Sequence, residues 1–253
     1  MTKVCFCGIS GNGMSPLAQI LSLKGFEVCG SDRSFDAGHD GKNRQALSDM
    51  GIKLFPQDGS GIDADTDVVY VSAALDENNP DIKAARALNI PVQKRSDLLS
   101  ELFHQYSFGI AVGGTSGKTT TTAMIGYILD MLGQKPCMIN GGMLRNYELL
   151  KGLPNFIYNQ DKFCVIEADE SDGSICKYHP NVALINNISH DHTSMENLIS
   201  YFTAFAAHTK DVLVINADCE LTRNLKHDRK TVTFSVQDSS ADFFADGIQS
   251  MPE

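Results

Sequence analysis

A chain of 253 residues accommodates one large domain or two small ones, and 42% hydrophobic with 21% charged residues is the balance of a folded globular protein, which excludes a disordered one. The formal net charge of -10 disfavours nonspecific binding to nucleic acid or to an anionic membrane surface. It leaves room for an anionic ligand, because a pocket of backbone N–H groups overrides the global field locally.

No apolar run reaches the length of a membrane span. The start, Met1-Thr-Lys-Val-Cys-Phe-Cys7, enters glycine too soon for a signal peptide. Cysteines stand at 5, 7, 29, 137, 164, 176 and 219, an odd count with no Cys-x-x-Cys. Buried, reduced thiols are therefore expected, with Cys5 and Cys7 on one face of a strand, and a cytoplasmic location.

Apolar strands alternate with helical patterns throughout, which predicts an α/β fold with mostly parallel sheets. Strands are expected at residues 3–8, 26–30 and 67–72, with a helix over 14–24 that places Leu17, Ile20 and Leu21 on one face. A helix over 80–88 opens on Pro80, where the missing N–H does no harm. Another spans 96–103, with Ser96 as its expected N-cap. A new unit begins with a strand at 107–112, a glycine-rich loop and a long helix through Leu132. Strands follow near 137–139, 163–168, 182–185, 212–215 and 231–234. The expected domains are 1–106 and 107–253.

The sharpest signal is Ala111-Val-Gly-Gly-Thr-Ser-Gly-Lys-Thr-Thr-Thr-Thr122, a strand running through glycines into a helix. Glycines let successive N–H groups turn toward phosphate oxygens, and the helix adds its positive dipole end. Lys118 is placed to reach the β- and γ-phosphates, and the Thr119 hydroxyl to sit on Mg²⁺. Lys118 is expected to project toward phosphate and away from the core, so that its removal costs little stability. The general pattern puts a glycine at position 112, which here is Val112.

A second glycine loop, Gly8-Ile-Ser-Gly-Asn-Gly-Met-Ser15, also joins a strand to a helix, and Asp32 ends the next strand at the ribose-binding spacing. By itself it fits a dinucleotide site, another nucleotide-diphosphate site, or a tight turn. Two further clusters follow apolar strands. Glu167-Ala-Asp-Glu-Ser-Asp172 supplies carboxylates that could hold the Mg²⁺ of a nucleotide, and Asn186-Asn-Ile-Ser-His-Asp-His192 should reach the same sheet edge. His190 and His192 suggest a zinc fragment, but no third ligand lies at a recognised spacing.

Together these motifs resemble the Mur ligase family. The series runs in family order: residues 8–15, Gly30-Ser-Asp32, Val71-Ser-Ala-Ala74 with Asn79-Pro80, Gly114-Thr-Ser-Gly-Lys-Thr-Thr120, residues 167–172, Asn187 to His192, and Asn216-Ala-Asp218. The family's own phosphate loop is the short form G-T-x-G-K-T, which accounts for Val112. The resemblance is greatest to the branch that adds L-alanine to UDP-N-acetylmuramate in peptidoglycan precursor synthesis.

That resemblance implies a Rossmann-like domain for the UDP-sugar, a P-loop ATPase domain, and a third domain that brings the amino acid. ATP would phosphorylate the substrate carboxylate, and an amine would attack the acyl phosphate to give an amide, ADP and phosphate. Gly114, Thr115, Ser116, Gly117, Lys118, Thr119 and Thr120 would bind ATP. Gly11, Asn12, Gly13, Met14, Ser15, Asp32 and Ser72 would bind the UDP-sugar. Lys118, Glu167 and His192 would be catalytic, and Thr119, Glu167 and His192 would hold Mg²⁺.

Ser116 stands where the alanine-adding branch usually has histidine. No lysine follows His192 until Lys210, as in that branch. The chain stops at Glu253, so an incomplete central domain, no third domain and no ligation by this chain alone are expected. The competing readings are a recycling ligase that attaches a whole peptide to the same sugar, a nicotinamide-dependent oxidoreductase, and a catalytically idle nucleotide-binding protein.

Overall fold

The computed structural model describes residues 1–72, 76–147, 151–190 and 193–249. It divides into two compact units, Met1–Leu102 with Cys137–Asn159, and Phe103–Pro136 with Gln160–Glu253.

The first unit opens with β1 (Lys3–Cys7), α1 (Ser15–Leu23), β2 (Glu27–Ser31), the short α2 (Arg33–Asp36), α3 (Gly41–Asp49) and β3 (Lys53–Phe55). It continues through β4 (Val68–Val71), α4 (Pro80–Ala87), β5 (Val92–Lys94) and α5 (Arg95–His104). The sheet order is β3-β2-β1-β4-β5, with every pair parallel. Central β1 is buried from Val4 to Cys7, so it reads as a continuous apolar run instead of alternating. Register places Cys5 opposite Cys29. Cys5, Cys7 and Cys29 pack with Val69, Val71 and Ile82 as buried thiols in an apolar cluster.

Local chemistry sets the helix ends. Pro16 and Pro80 occupy first-turn positions, and Asn79 accepts the Asp81 N–H at 2.9 Å as the N-cap of α4. The expected N-cap Ser96 is instead inside α5, which begins at Arg95. Asp97 accepts the Lys94 N–H at 3.3 Å, so the turn starts earlier than the serine signal indicates.

The chain then forms β6 (Phe108–Gly113) and α6 (Lys118–Met131) of the second unit, before β7 (Cys137–Ile139) and β8 (Phe156–Ile157) return to the first. β7 and β8 pair antiparallel. The hairpin segment is tied to α1 by buried amides: Gln19 Nε2 donates to Asn155 Oδ1 at 3.3 Å, and Asn155 Nδ2 donates to Ser15 Oγ at 2.9 Å. Leu153 N donates to Gln19 Oε1 at 2.6 Å. By contacts, residues 137–159 group with the first compact unit.

The second unit continues with β9 (Phe163–Glu167), β10 (Val182–Ile185), α7 (Met195–His208), β11 (Val212–Asn216), α8 (Glu220–Arg223), β12 (Thr231–Ser235) and β13 (Phe243–Phe244). Its parallel strands run in the order β13-β12-β11-β10-β6-β9. α7 buries Leu198, Phe202, Phe205 and Ala206, one stripe at helical spacing, and Ser194 caps it by accepting the Asn197 N–H. Val112 pairs with Glu167, and Gly113 with Ile185. The C-terminal ends of β6, β9 and β10 therefore meet at one sheet edge, the edge where α/β folds bind ligands. Phe243, Phe244 and Ile248 remain exposed. Among the described residues no helix is long and apolar enough to cross a membrane.

Candidate nucleotide sites

In the second unit, β6 ends at Gly113 and α6 begins at Lys118, so residues 114–117 make the whole loop. Gly114 has φ 137° and a Cβ there would lie 3.1 Å from Asn186 Cβ, so both conformation and space demand glycine. Gly117 precedes α6 in the left-handed region and no side chain caps the helix. The first-turn N–H groups therefore face the loop, as an anion site requires.

Asn187 clasps this loop. Its Oδ1 accepts from Thr115 Oγ1 at 2.8 Å and from Ser116 N at 3.0 Å, and its Nδ2 donates to Ser116 O at 3.1 Å. Asn186 Nδ2 donates to Thr121 Oγ1 at 3.0 Å. The sequence drew attention to the histidines of this segment, but the asparagines ahead of them are what hold the loop. His190 is exposed. His192 lies outside the described residues, and so does its expected place beside Thr119 and Glu167.

The acidic cluster divides its work. Glu167, at the end of β9, accepts from Thr119 Oγ1 at 3.1 Å. Glu170 is buried and takes Lys118 Nζ at 2.8 and 3.0 Å. Burial pushes the Glu170 carboxyl above the usual range, against the opposing pull of Lys118. Asp169 and Asp172 serve local turns, accepting from Ser171 N at 3.0 Å and Ser174 N at 2.9 Å. Lys118 thus faces the loop as expected, but it also neutralises a buried acid.

Two oxygens about 2.9 Å apart are what adjacent ligands of an octahedral Mg²⁺ require at bond lengths of ~2.0–2.1 Å. The 3.1 Å between Thr119 Oγ1 and Glu167 Oε2 fits that spacing, and both are hard oxygen donors. Among the described residues no cluster of three or more His, Cys, Asp or Glu could hold a metal by itself. Mg²⁺ here would need further oxygens from phosphate and water, which is its usual mode of binding.

In the first unit, the loop after β1 is tied to β2. Gly8 N and Ile9 N donate to Ser31 O at 2.9 and 3.0 Å. Asp32 accepts from Ser10 N and Ser34 N, both at 2.9 Å. Burial opposes ionisation of Asp32, but the Ser10 and Ser34 hydrogen bonds outweigh it and hold its carboxyl below the usual range. Gly11 and Asn12 are exposed, while Met14 and Ser15 are buried. Ser72 is half-buried just past β4.

The sequence missed two cations near this loop. Arg95 lies so close to Gly13 that a Cβ there would sit 3.0 Å from its Cδ. Arg33 lines a cleft of about 330 Å³ with Gln57, Asp76, Asn78, Asn79 and Pro80. Among the described residues Asn79 Nδ2 has no hydrogen-bond partner, an unsatisfied buried donor in the lining of this cleft.

A parallel sheet and a mixed one, with a glycine loop leading into an uncapped helix, define an α/β protein with a candidate nucleotide site. Family comparison makes this specific: the Mur ligase middle domain matches residues 112–253, and the Mur ligase family catalytic domain matches residues 3–107. The chain belongs to the Mur ligase family.

The chain is 37% identical to UDP-N-acetylmuramate–L-alanine ligase of Thermosynechococcus vestitus, over 96% of this chain and 51% of that protein. The crystal structure of UDP-N-acetylmuramate–alanine ligase MurC of Thermotoga maritima superimposes with a TM-score of 0.82 at 31% identity, covering 94% of this chain and 53% of that one. UDP-N-acetylmuramate:L-alanyl-γ-D-glutamyl-meso-diaminopimelate ligase of Neisseria meningitides gives 0.81 at 25% identity, covering 96% and 82%. The chain spans about half the length of the curated relatives it matches.

Proposed function

We propose that this chain carries the sugar-nucleotide and ATP sites of a cytoplasmic ligase that joins L-alanine to the carboxylate of UDP-N-acetylmuramate. The observation that carries the reading is the Thr119–Glu167 oxygen pair beside the uncapped loop of α6, in a chain 37% identical to a ligase of that name. The loop N–H groups and Lys118 receive the ATP phosphates. Thr119 and Glu167 would hold Mg²⁺, which when bound would offset the charge that develops on the transferring phosphoryl group. The loop after β1 and the cleft at Arg33 and Asn79 hold the UDP-sugar.

The carboxylate oxygen attacks the γ-phosphorus, the bond to the bridging oxygen of ADP breaks, and an acyl phosphate forms. The amine then attacks the acyl carbon, phosphate leaves with its bridging oxygen, and the amine gives up a proton. In this chemistry the protein acts chiefly by positioning and by stabilising charge.

Hydroxylamine intercepts acyl phosphates without needing an amino-acid site. The chain incubated with ATP, Mg²⁺, UDP-N-acetylmuramate and hydroxylamine is expected to yield the UDP-muramyl hydroxamate by mass spectrometry, dependent on each component. No hydroxamate, with both nucleotides shown to be bound, would contradict the phosphoryl-transfer step.

A further inference from the structure

Lys118 and Glu170 form an ion pair inside the phosphate loop. Lys118 Nζ lies 2.7 Å from Gly114 O, 3.0 Å from Glu170 Oε1 and 2.8 Å from Glu170 Oε2. An ammonium has three protons, so these three acceptors use its full donor capacity. The carboxylate embraces the lysine with two oxygens at the foot of an uncapped helix, much as two phosphate oxygens would.

Glu170 is held there firmly. Its side chain is 4% exposed, against 17% for Lys118. Among the described residues Lys118 is the one side chain that donates to it. A buried carboxylate that loses its cation carries a large desolvation cost. Nucleotide phosphate can gain the Lys118 ammonium only by taking its protons from Glu170, and the cost of that exchange is subtracted from nucleotide affinity.

We propose that Glu170 is a built-in anion that competes with nucleotide phosphate for Lys118 and so sets the affinity of the loop for ATP. The inference rests on the reading of this loop as the ATP site. It makes Glu170 a positioning residue acting through Lys118, separate in role from Glu167, three residues earlier on the same segment.

The test compares the wild-type chain with Glu170→Gln and Glu170→Asp, by calorimetry with ATP, inorganic pyrophosphate and adenosine. Glutamine keeps the shape and an acceptor oxygen but lacks the charge, so it should release Lys118. ATP and pyrophosphate are expected to bind Glu170→Gln about tenfold tighter, because the buried ion pair no longer has to be broken. Adenosine, which has no phosphate, should bind both chains equally. Glu170→Asp keeps the charge on a shorter stem and should fall between them.

A purely structural role would weaken all three ligands together. ATP and pyrophosphate binding that is unchanged or weaker in Glu170→Gln, or in Glu170→Asp if only that variant folds, overturns the proposal. If the wild-type chain binds neither ATP nor pyrophosphate, the ATP-site reading itself fails, a different result from wild-type binding that the substitutions leave unaltered.

Discussion

Thr119, in the first turn of α6, donates its hydroxyl to Glu167, the last residue of β9, at 3.1 Å. Two side chains from different elements thereby present oxygens at the spacing of neighbouring Mg²⁺ ligands. Thr119→Val keeps the shape and removes the oxygen. It is expected to weaken ATP binding about tenfold or more in the presence of Mg²⁺ and to leave binding in EDTA nearly unchanged. Calorimetry under the two conditions checks this, and an equal loss in both would remove the metal role. Stability should fall by only ~1 kcal/mol, the worth of one hydrogen bond.

Lys118→Ala carries a stability cost that the sequence did not foresee, because the lysine neutralises a buried carboxylate. The substitution is expected to cost about 1–3 kcal/mol, discounted from the cost of breaking a fully buried pair because Lys118 is partly exposed. Adding Glu170→Gln should recover most of that stability and none of the ATP binding. Urea unfolding of the single and double variants measures the first effect, and nucleotide titration the second.

Asp32 links the loop after β1 to β2, and its folded-state carboxyl is held below its ordinary value. The sign follows from linkage: a depressed carboxyl stabilises the fold above its unfolded pKa of about 3.9, and that stability is lost as pH falls through the lower folded value. Asp32→Asn should therefore be less stable than wild type by about 1–3 kcal/mol at pH 7. The gap should close as the pH drops through the lowered folded-state value. Unfolding curves from neutral pH down into acid would show it, and a gap that widened in acid would refute the assignment.

Gln19 and Asn155 stand 136 positions apart, yet they share a buried hydrogen bond. Gln19→Ala deprives Leu153 N of its acceptor and leaves Asn155 Oδ1 without the Gln19 donor. A loss of about 2–4 kcal/mol is expected, combining unsatisfied buried groups with a cavity. Hydrogen exchange should report it locally, as faster exchange at the Leu153 amide than at amides of β1.

Much of this was legible because the strands are short apolar runs bounded by glycine or acid. Val182–Ile185 and Cys137–Ile139 are found where the apolar runs placed them, and α6 starts at Lys118 because the glycines end there. α7 went unread although Ser194 and the spacing of Leu198, Phe202 and Phe205 carried the signal. The buried amide pairs that tie Asn155 and Leu153 to α1 were not legible, since they join distant positions. Spacing alone could not tell four neighbouring carboxylates apart: the family resemblance singled out Glu167 beside Thr119, and only the folded geometry gives Glu170 to Lys118 and the two aspartates to local turns.

The central claim, that one chain holds a UDP-sugar site and an ATP site, is tested most directly by titrating it with UDP-N-acetylmuramate, MgATP and NAD in turn. The account predicts saturable heats with the first two and none with NAD. It also predicts that Lys118→Ala abolishes the ATP signal while sparing the UDP-sugar signal, and that substituting Asn79 by Ala weakens the UDP-sugar signal alone. Saturable NAD binding without UDP-N-acetylmuramate binding would contradict it.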